Sequence, residues 1–173
     1  MDPVVANIIG QVFGAIAVIL GFLTFQMNTA KKLITVQVAT AIAFCLHYLF
    51  LGAMTGCVMN AVGIIRNIIY RYRDRKFLSG KWIPYAFAII IGGMGFLSWE
   101  GWHSLLVIAG LMINTIGLSF RNPQHTRYSI FVSSPLVMVY DVFTMAIGGF
   151  VYETVVIISS IIGVIRTNRK QKQ

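Results

Sequence analysis

The sequence predicts an all-α membrane protein of seven transmembrane helices, arranged as two parallel three-helix repeats that a linker helix joins. Of the 173 residues, 57% are hydrophobic and only 11% are charged, whereas a soluble globular domain carries roughly 25% charged residues. Basic residues fall only in alternate connections between the apolar spans, and the second half of the chain repeats a pattern of the first half. These three observations together predict the fold class.

Seven apolar spans are predicted at about 4–25, 33–51, 55–70, 83–98, 102–120, 128–147 and 150–166. Runs of roughly 18 residues suffice to cross a hydrocarbon core of roughly 30 Å. Each is predicted to be a helix, because backbone groups in lipid must be hydrogen-bonded within the segment. No Lys or Arg precedes Lys31, so the first span lacks the basic start of a signal peptide and is interpreted as a membrane helix. Short turns at Gly52–Gly56 and Gly148–Gly149 predict two antiparallel hairpins.

The positive charges predict the orientation of the chain, because Lys and Arg in short loops stay on the cytoplasmic side. All 14 basic residues lie at the ends of spans one, three, five and seven or in the segments that follow them, and the loops after spans two, four and six contain none. Seven spans, with the N-terminus outside and the C-terminus in the cytoplasm, satisfy this alternation. The N-terminus is therefore expected on the side of the membrane that faces away from the cytoplasm.

An internal repeat emerges when the chain is shifted by 93 residues, which aligns span three with span seven and span two with span six. Gly56 then falls on Gly149, Asn60 on Glu153, and Tyr48 on Asp141. We predict a single transmembrane domain over 1–173, with repeat 1 at 4–75, a linker helix at 83–98 and repeat 2 at 102–170. Parallel repeats of this kind occur in small transporters.

This plan resembles the PQ-loop superfamily, which includes SWEET sugar transporters and PnuC-type vitamin transporters. The first helix ends in Phe25-Gln26 before a basic turn, and Asn60 matches the position of a substrate-facing Asn in SWEET proteins. The chain departs from that pattern because Phe25 replaces the Pro of the PQ motif and Glu153 replaces the second Asn.

Nearly the whole chain also resembles the bacterial inner-membrane YgjV family. The matching segments are Gly21-Phe22-Leu23-Thr24-Phe25, His47-Tyr48-Leu49-Phe50-Leu51-Gly52, Asn60-Ala61, and Ile147-Gly148-Gly149 followed by Glu153. The resemblance implies a seven-helix fold and a location in the bacterial inner (plasma) membrane. In that membrane the predicted orientation places the N-terminus in the periplasm.

Two carboxylates, Asp141 and Glu153, fall within predicted spans. A charged group at membrane depth costs at least ~2.5–3.5 kcal/mol on insertion scales, so such residues often mark proton or cation paths. The predicted substrate-binding residues are Asn60, Glu153, Asp141, His47, Gln11 and Tyr48. The structural alternatives are that Asn60 only joins helices by hydrogen bonds and that His47 only donates to a nearby acid.

The remaining polar residues are predicted to be structural. Arg66 is expected to extend its guanidinium to the cytoplasmic headgroups, the alternative being a contact with a substrate anion. Cys45 and Cys57 resemble small buried hydrophobic residues, and we predict no metal and no cofactor. Enzyme motifs such as H-E-x-x-H and G-x-S-x-G are absent from the sequence, so we predict no enzymatic activity and no catalytic residue.

Two functions from different classes fit this sequence. The first is transport of a small neutral or cationic metabolite, or of protons, through a polar site between the two repeats. The second is a non-transporting receptor or accessory protein with the same fold. The expected partner in either case is the lipid bilayer, an oligomer is compatible with both, and nucleic acid is not expected because the basic residues form no stripe with aromatic residues.

Overall fold

The computed structural model describes residues 2–25, 30–72, 80, 82–118 and 123–171. These residues form seven α-helices and no strand, which confirms the predicted all-helical class and the helix count. In chain order the helices are α1 (Pro3–Phe25), α2 (Ala30–Phe50), α3 (Met54–Arg71), α4 (Ile83–Leu97), α5 (Ser104–Gly117), α6 (Pro123–Phe143) and α7 (Ile147–Gln171). The basic loop at 73–79 and most of the predicted Phe25-Gln26 and Phe120-Arg121 turns lie outside the described residues.

Membrane-spanning capacity differs among the helices when each is taken alone. Within the described residues, only Pro3–Leu23 of α1 is both long and apolar enough to cross a membrane. Shorter apolar stretches occur at Ile34–Phe50, Ile83–Leu97, Ser104–Gly117 and Ile147–Ile162. The number and order of helices therefore agree with the sequence prediction, whereas the crossing of the bilayer by all seven helices stays a prediction.

The helices pack mainly against their neighbours in the chain. α2 lies between α1 and α3, and α6 lies between α5 and α7. α4 packs against α5 and α3, while α1 contacts α7 and α3 contacts α5. The helices alternate in direction, so α1 begins at the same end of the bundle where α2 ends and α3 begins. We call this the amino-terminal end, and the opposite end, where α3 and α5 finish, the carboxy-terminal end.

The bundle has a small apolar interior and an apolar outer surface. Phe44, Met59, Ile91 and Val107 belong to one buried cluster, while exposed large hydrophobic side chains occur on all seven helices. Ile89 in α4, for example, is 74% exposed. Apolar exposure this extensive is expected of a surface that faces lipid rather than water.

The turn between α2 and α3 reverses the chain within a few residues. The Ala53 N–H donates to the Tyr48 carbonyl at 2.9 Å, and Gly52 has a φ of 75°. Glycine has no β-carbon and so adopts this left-handed conformation at little cost. The predicted α2–α3 hairpin is thus confirmed.

The turn between α6 and α7 has the same hydrogen-bond pattern, displaced by 93 residues. The Ala146 N–H donates to the Asp141 carbonyl at 2.8 Å, and Met145, the residue aligned with Gly52, has a φ of 54°. The predicted turn at Gly148-Gly149 is therefore wrong, because both glycines lie in the first turn of α7. Gly148 and Gly149 instead allow close packing against Gly14 and Asp141. The residue with the left-handed backbone conformation in this turn is Met145.

The loop between α4 and α5 caps the start of α3. The Glu100 carboxylate accepts hydrogen bonds from the Met54 and Thr55 backbone N–H groups, both at 2.8 Å. Ser104 Oγ lies 3.0 Å from Thr55 Oγ1 and accepts from the Glu100 N–H at 3.1 Å. A carboxylate at this position satisfies two N–H groups that have no partner within the helix and interacts favourably with the helix dipole.

We expect Glu100→Ala to lower the free energy of unfolding by about 1–2 kcal/mol, the usual loss for a removed N-cap. Glu100→Gln should lose less, because an amide oxygen still accepts one of the two hydrogen bonds. The measurement is thermal unfolding of the detergent-purified protein. An unfolding midpoint for Glu100→Ala that equals the wild-type value would contradict the proposed cap.

Candidate functional site

The centre of the candidate site is a pair of buried polar side chains, one from each half of the chain. Tyr48 of α2 donates its hydroxyl proton to Asp141 Oδ1 of α6 at 2.5 Å. Tyr48 is 4% exposed and Asp141 is 1% exposed. The second carboxyl oxygen, Asp141 Oδ2, has no hydrogen-bond partner among the described residues.

Two glycines create the space that these side chains occupy. A β-carbon at Gly149 would lie 2.6 Å from Asp141 Oδ1, and a β-carbon at Gly56 would lie 2.8 Å from the Tyr48 ring. Each residue of the pair thus packs against a glycine of the helix that follows it. The Gly56 N–H also donates to the Tyr140 hydroxyl at 2.8 Å, which places a second buried tyrosine beside the pair.

His47 is fully buried next to Tyr48, with their ring centroids 5.2 Å apart. Its Nδ1 lies 2.7 Å from the Gly10 carbonyl oxygen of α1. Because a carbonyl only accepts, Nδ1 carries the proton in this contact. The alternative that His47 donates to a nearby acid is therefore wrong, and its Nε2 is buried without a partner in the described part of the chain.

Glu153 of α7 is partly buried and receives a hydrogen bond from the Ser134 hydroxyl of α6. It lies within electrostatic range of Tyr48, Asp141 and Tyr152. The structure thus brings the two predicted acids into one region, where the Tyr48 hydroxyl bonds to Asp141 and lies within electrostatic range of Glu153. Ser134 gave no signal in the sequence, because its role depends on how α6 packs against α7.

The two predicted amides are placed differently from the acids. Asn60 Nδ2 donates to the Gly56 carbonyl of its own helix at 2.9 Å, so the hydrogen bond described for Asn60 does not link two helices. Gln11 Nε2 donates to the Met145 carbonyl at 2.9 Å and thereby connects α1 to the α6–α7 turn. The predicted site thus separates into a core of Tyr48, Asp141, His47 and Glu153 and two amides with backbone partners.

A second polar centre lies nearer the carboxy-terminal end. Arg66 of α3 is only 8% exposed. Its guanidinium donates to Thr115 Oγ1 of α5 and to Asn67 Oδ1. The expectation that Arg66 extends to the headgroups is therefore wrong, because a polar contact between α3 and α5 holds the side chain inside the bundle.

The two thiols, which the sequence predicted to be buried, lie side by side and are only partly buried. Cys45 Sγ of α2 lies 3.4 Å from Cys57 Sγ of α3, and both cysteines are free. Among the described residues, no group of three or more His, Cys, Asp and Glu side chains could hold a metal ion.

A groove of about 510 Å³ opens on the surface between α3, α4 and the α4–α5 loop. Its lining residues are Met54, Val58, Met94, Leu97, Ser98, Trp99 and Glu100. None of the six predicted site residues lines this groove, and the Tyr48–Asp141 pair is instead enclosed by packed side chains.

The chemistry available at the pair follows from its hydrogen bonds. A carboxyl group with one bonded oxygen and one unbonded oxygen can accept a proton or contact a cationic group. Ionisable side chains within membrane-spanning helices are energetically costly and often mark functional sites. The arrangement is suited to exchanging a proton or a small polar ligand once the surrounding helices separate.

Comparison with known proteins identifies one family. The family model described as Imp-YgjV, bacterial inner membrane protein, matches residues 8–171 of the chain. No curated protein and no solved structure matches the chain.

Proposed function

Because this chain belongs to the Imp-YgjV family of bacterial inner membrane proteins, we propose that it transports a small metabolite across that membrane. In this proposal all seven helices cross the bilayer, with the N-terminus in the periplasm and the C-terminus in the cytoplasm. The substrate is neutral or cationic, or transport is coupled to protons. The polar residues around Tyr48 and Asp141 form the site.

The proposal includes a duplicated architecture, in which α1–α3 and α5–α7 are equivalent and α4 links them. The matching hydrogen bonds of the two hairpin turns, 93 residues apart, support this architecture. So does the packing, since α1 contacts α7 while α5, its counterpart, contacts α3. We further propose a relationship to the PQ-loop and SWEET-like transporters, whose halves have the same plan.

The observation that carries the proposal is the Tyr48–Asp141 hydrogen bond, because it joins the two halves through equivalent positions. Transporters built from repeats bind their substrate at the interface between the repeats and expose it by rocking one half against the other. Separation of α2 from α6 would break this hydrogen bond. Asp141 and Glu153 would then face the opening and attract a cationic group or a proton.

The test is uptake into liposomes containing the purified protein, with a panel of small metabolites and a pH gradient. We expect Asp141→Asn and Glu153→Gln to reduce the transport signal about 10- to 100-fold, which corresponds to the loss of one hydrogen bond to a charged group. Glu100→Gln is the matched control, because this acid caps α3 and should leave transport unchanged.

If both site variants retain the full wild-type signal, these acids are not part of the transport site. If no member of the panel is transported while some of them raise the unfolding temperature by binding, the chain is a non-transporting receptor of the same fold.

A further inference from the structure

The buried guanidinium of Arg66 is held by three hydrogen bonds to two neighbouring side chains. Nη1 donates to Thr115 Oγ1 at 2.7 Å, and Nε and Nη2 both donate to Asn67 Oδ1 at 3.2 Å. Thr115 belongs to α5 and Asn67 to α3, so the contact joins the two halves of the bundle. A guanidinium held in this way presents its remaining N–H groups in a defined direction.

Within the part of the chain that the structure describes, these hydrogen bonds give the positive charge of Arg66 no negative partner. Thr115 and Asn67 are both neutral, and none of the carboxylates among the described residues, Asp2, Glu100, Asp141 and Glu153, hydrogen-bonds to Arg66. A guanidinium has five N–H donors, of which three are used here, so that Nη1 and Nη2 each retain one donor. Two such donors match the two oxygens of a carboxylate.

Buried charges in proteins are normally paired, and a charge inside a membrane is a marker of a functional site. Arg66 is more than nine-tenths buried and lies five residues before the end of α3, which is about 7–8 Å along the helix axis. A ligand anion that enters from the carboxy-terminal end would supply the missing negative charge.

Tyr152 connects this centre to the acids of the candidate site. Its side chain lies within electrostatic range of both Arg66 and Glu153. Arg66 on α3 and Glu153 on α7 are therefore both close enough to Tyr152 for their charges to act on it. A positive and a negative side chain that face one region complement a ligand that carries both charges.

We propose that Arg66, positioned by Thr115 and Asn67, binds the carboxylate of a small zwitterionic metabolite, whose cationic group faces Glu153. This inference rests on the proposed transport function, because it assigns the substrate class of that same site. It accounts for a buried guanidinium and a partly buried carboxylate that do not hydrogen-bond to each other.

The test is thermal stabilisation of the detergent-purified full chain by ω-amino acids of increasing length: glycine, 4-aminobutyrate and 6-aminohexanoate. Propylamine and butyrate are the matched probes that carry only one of the two charges. We expect at least one ω-amino acid to raise the unfolding temperature more than either single-charge probe. If no ω-amino acid stabilises the wild-type protein more than these probes do, the proposal is overturned.

The variant Arg66→Met should weaken binding of the stabilising amino acid about 10- to 100-fold, as expected for a lost charge-assisted contact. Without ligand it should unfold at the wild-type temperature or higher, because an unpaired buried charge has been removed. A purely structural arginine would give the opposite result, a lower unfolding temperature with an unchanged ligand response. Arg71→Met, a change at the end of the same helix, is the control and should keep the response.

Should Arg66→Met fail to fold, Thr115→Val decides the question. This variant keeps the side-chain volume and removes only the hydroxyl that positions Nη1. Binding of butyrate and of the amino acid should weaken, while binding of propylamine stays the same. Equal binding of all probes to Thr115→Val and wild type would overturn the proposal.

Three further outcomes distinguish this inference from lipid binding and from the proposed transport function. If phosphatidylglycerol micelles stabilise wild type but not Arg66→Met, and the amino acids do not, the anion is a lipid headgroup and the substrate assignment is wrong. If an amino acid binds through Arg66 but is never taken up into liposomes, the inference holds and the transport function fails. If amines are transported through Glu153 and Arg66→Met changes nothing, transport holds and the inference fails.

Discussion

Replacing Gly148 with alanine should lower the free energy of unfolding by about 3 kcal/mol or more, the upper end of the cost of overpacking. A β-carbon at this position would lie 2.5 Å from the Gly14 Cα atom and 2.8 Å from the Gly14 carbonyl carbon. These neighbours are backbone atoms of α1, which cannot move aside by changing a rotamer. The two helices would have to separate, and α1 would lose part of its contact with α7.

The matched control is Gly63→Ala in the middle of α3, where a new β-carbon would have no neighbour within 4 Å. Alanine favours helix over glycine by up to about 1 kcal/mol, so this variant should be as stable as wild type or slightly more stable. Thermal unfolding in detergent and denaturation in a mixed-micelle titration both report the difference. The α1–α7 packing described here would be refuted by Gly148 and Gly63 variants that unfold at the same temperature.

The second large effect is expected at the bond between the two halves. Tyr48→Phe keeps the ring against Gly56 but removes the hydroxyl that donates to Asp141 Oδ1. The carboxyl group would then be buried with both oxygens unpaired, which should lower the free energy of unfolding by about 1–3 kcal/mol.

A double-mutant cycle with Asp141→Ala, which removes both carboxyl oxygens, isolates the contribution of the bond itself. Interhelical hydrogen bonds in one well-studied membrane protein average about 0.6 kcal/mol and reach about 1.7 kcal/mol. We expect a coupling free energy near the upper value, because Tyr48 and Asp141 are almost completely buried. Tyr85→Phe, at an exposed position on α4, is the control and should show no coupling to Asp141→Ala. A cycle for Tyr48 that also gives no coupling would mean that the bond does not hold the halves together.

The helices could be predicted from the sequence because apolar runs and their connections are local features. The end of α6 was an exception, since the predicted span 128–147 continued past the last helical residue, Phe143. Two consecutive glycines suggested a turn, yet the left-handed residue is Met145. The sequence alone does not tell whether a glycine provides a backbone conformation or space for a neighbour.

The candidate site could be predicted in composition but not in its contacts. The alignment of Tyr48 with Asp141 at a fixed offset marked both residues, but nothing local indicated that they bond to each other. His47 has a backbone partner on α1, and Arg66 has a threonine partner on α5. These partners are 37 and 49 residues away in the chain, and only the packing of the helices brings them together.

Tyr48 and Asp141 occupy equivalent positions of the two halves but are different residues, and this difference limits how such a protein can evolve. If the two halves descend from one three-helix unit, an ancestral dimer with identical subunits would have placed the same residue on both sides of the symmetry axis. Two carboxylates there would repel each other, and two tyrosines would offer no acid for a proton or a cation. Joining both copies in a single gene frees each position to change separately, so the tyrosine–aspartate pair is available to a fused chain and not to its symmetric precursor.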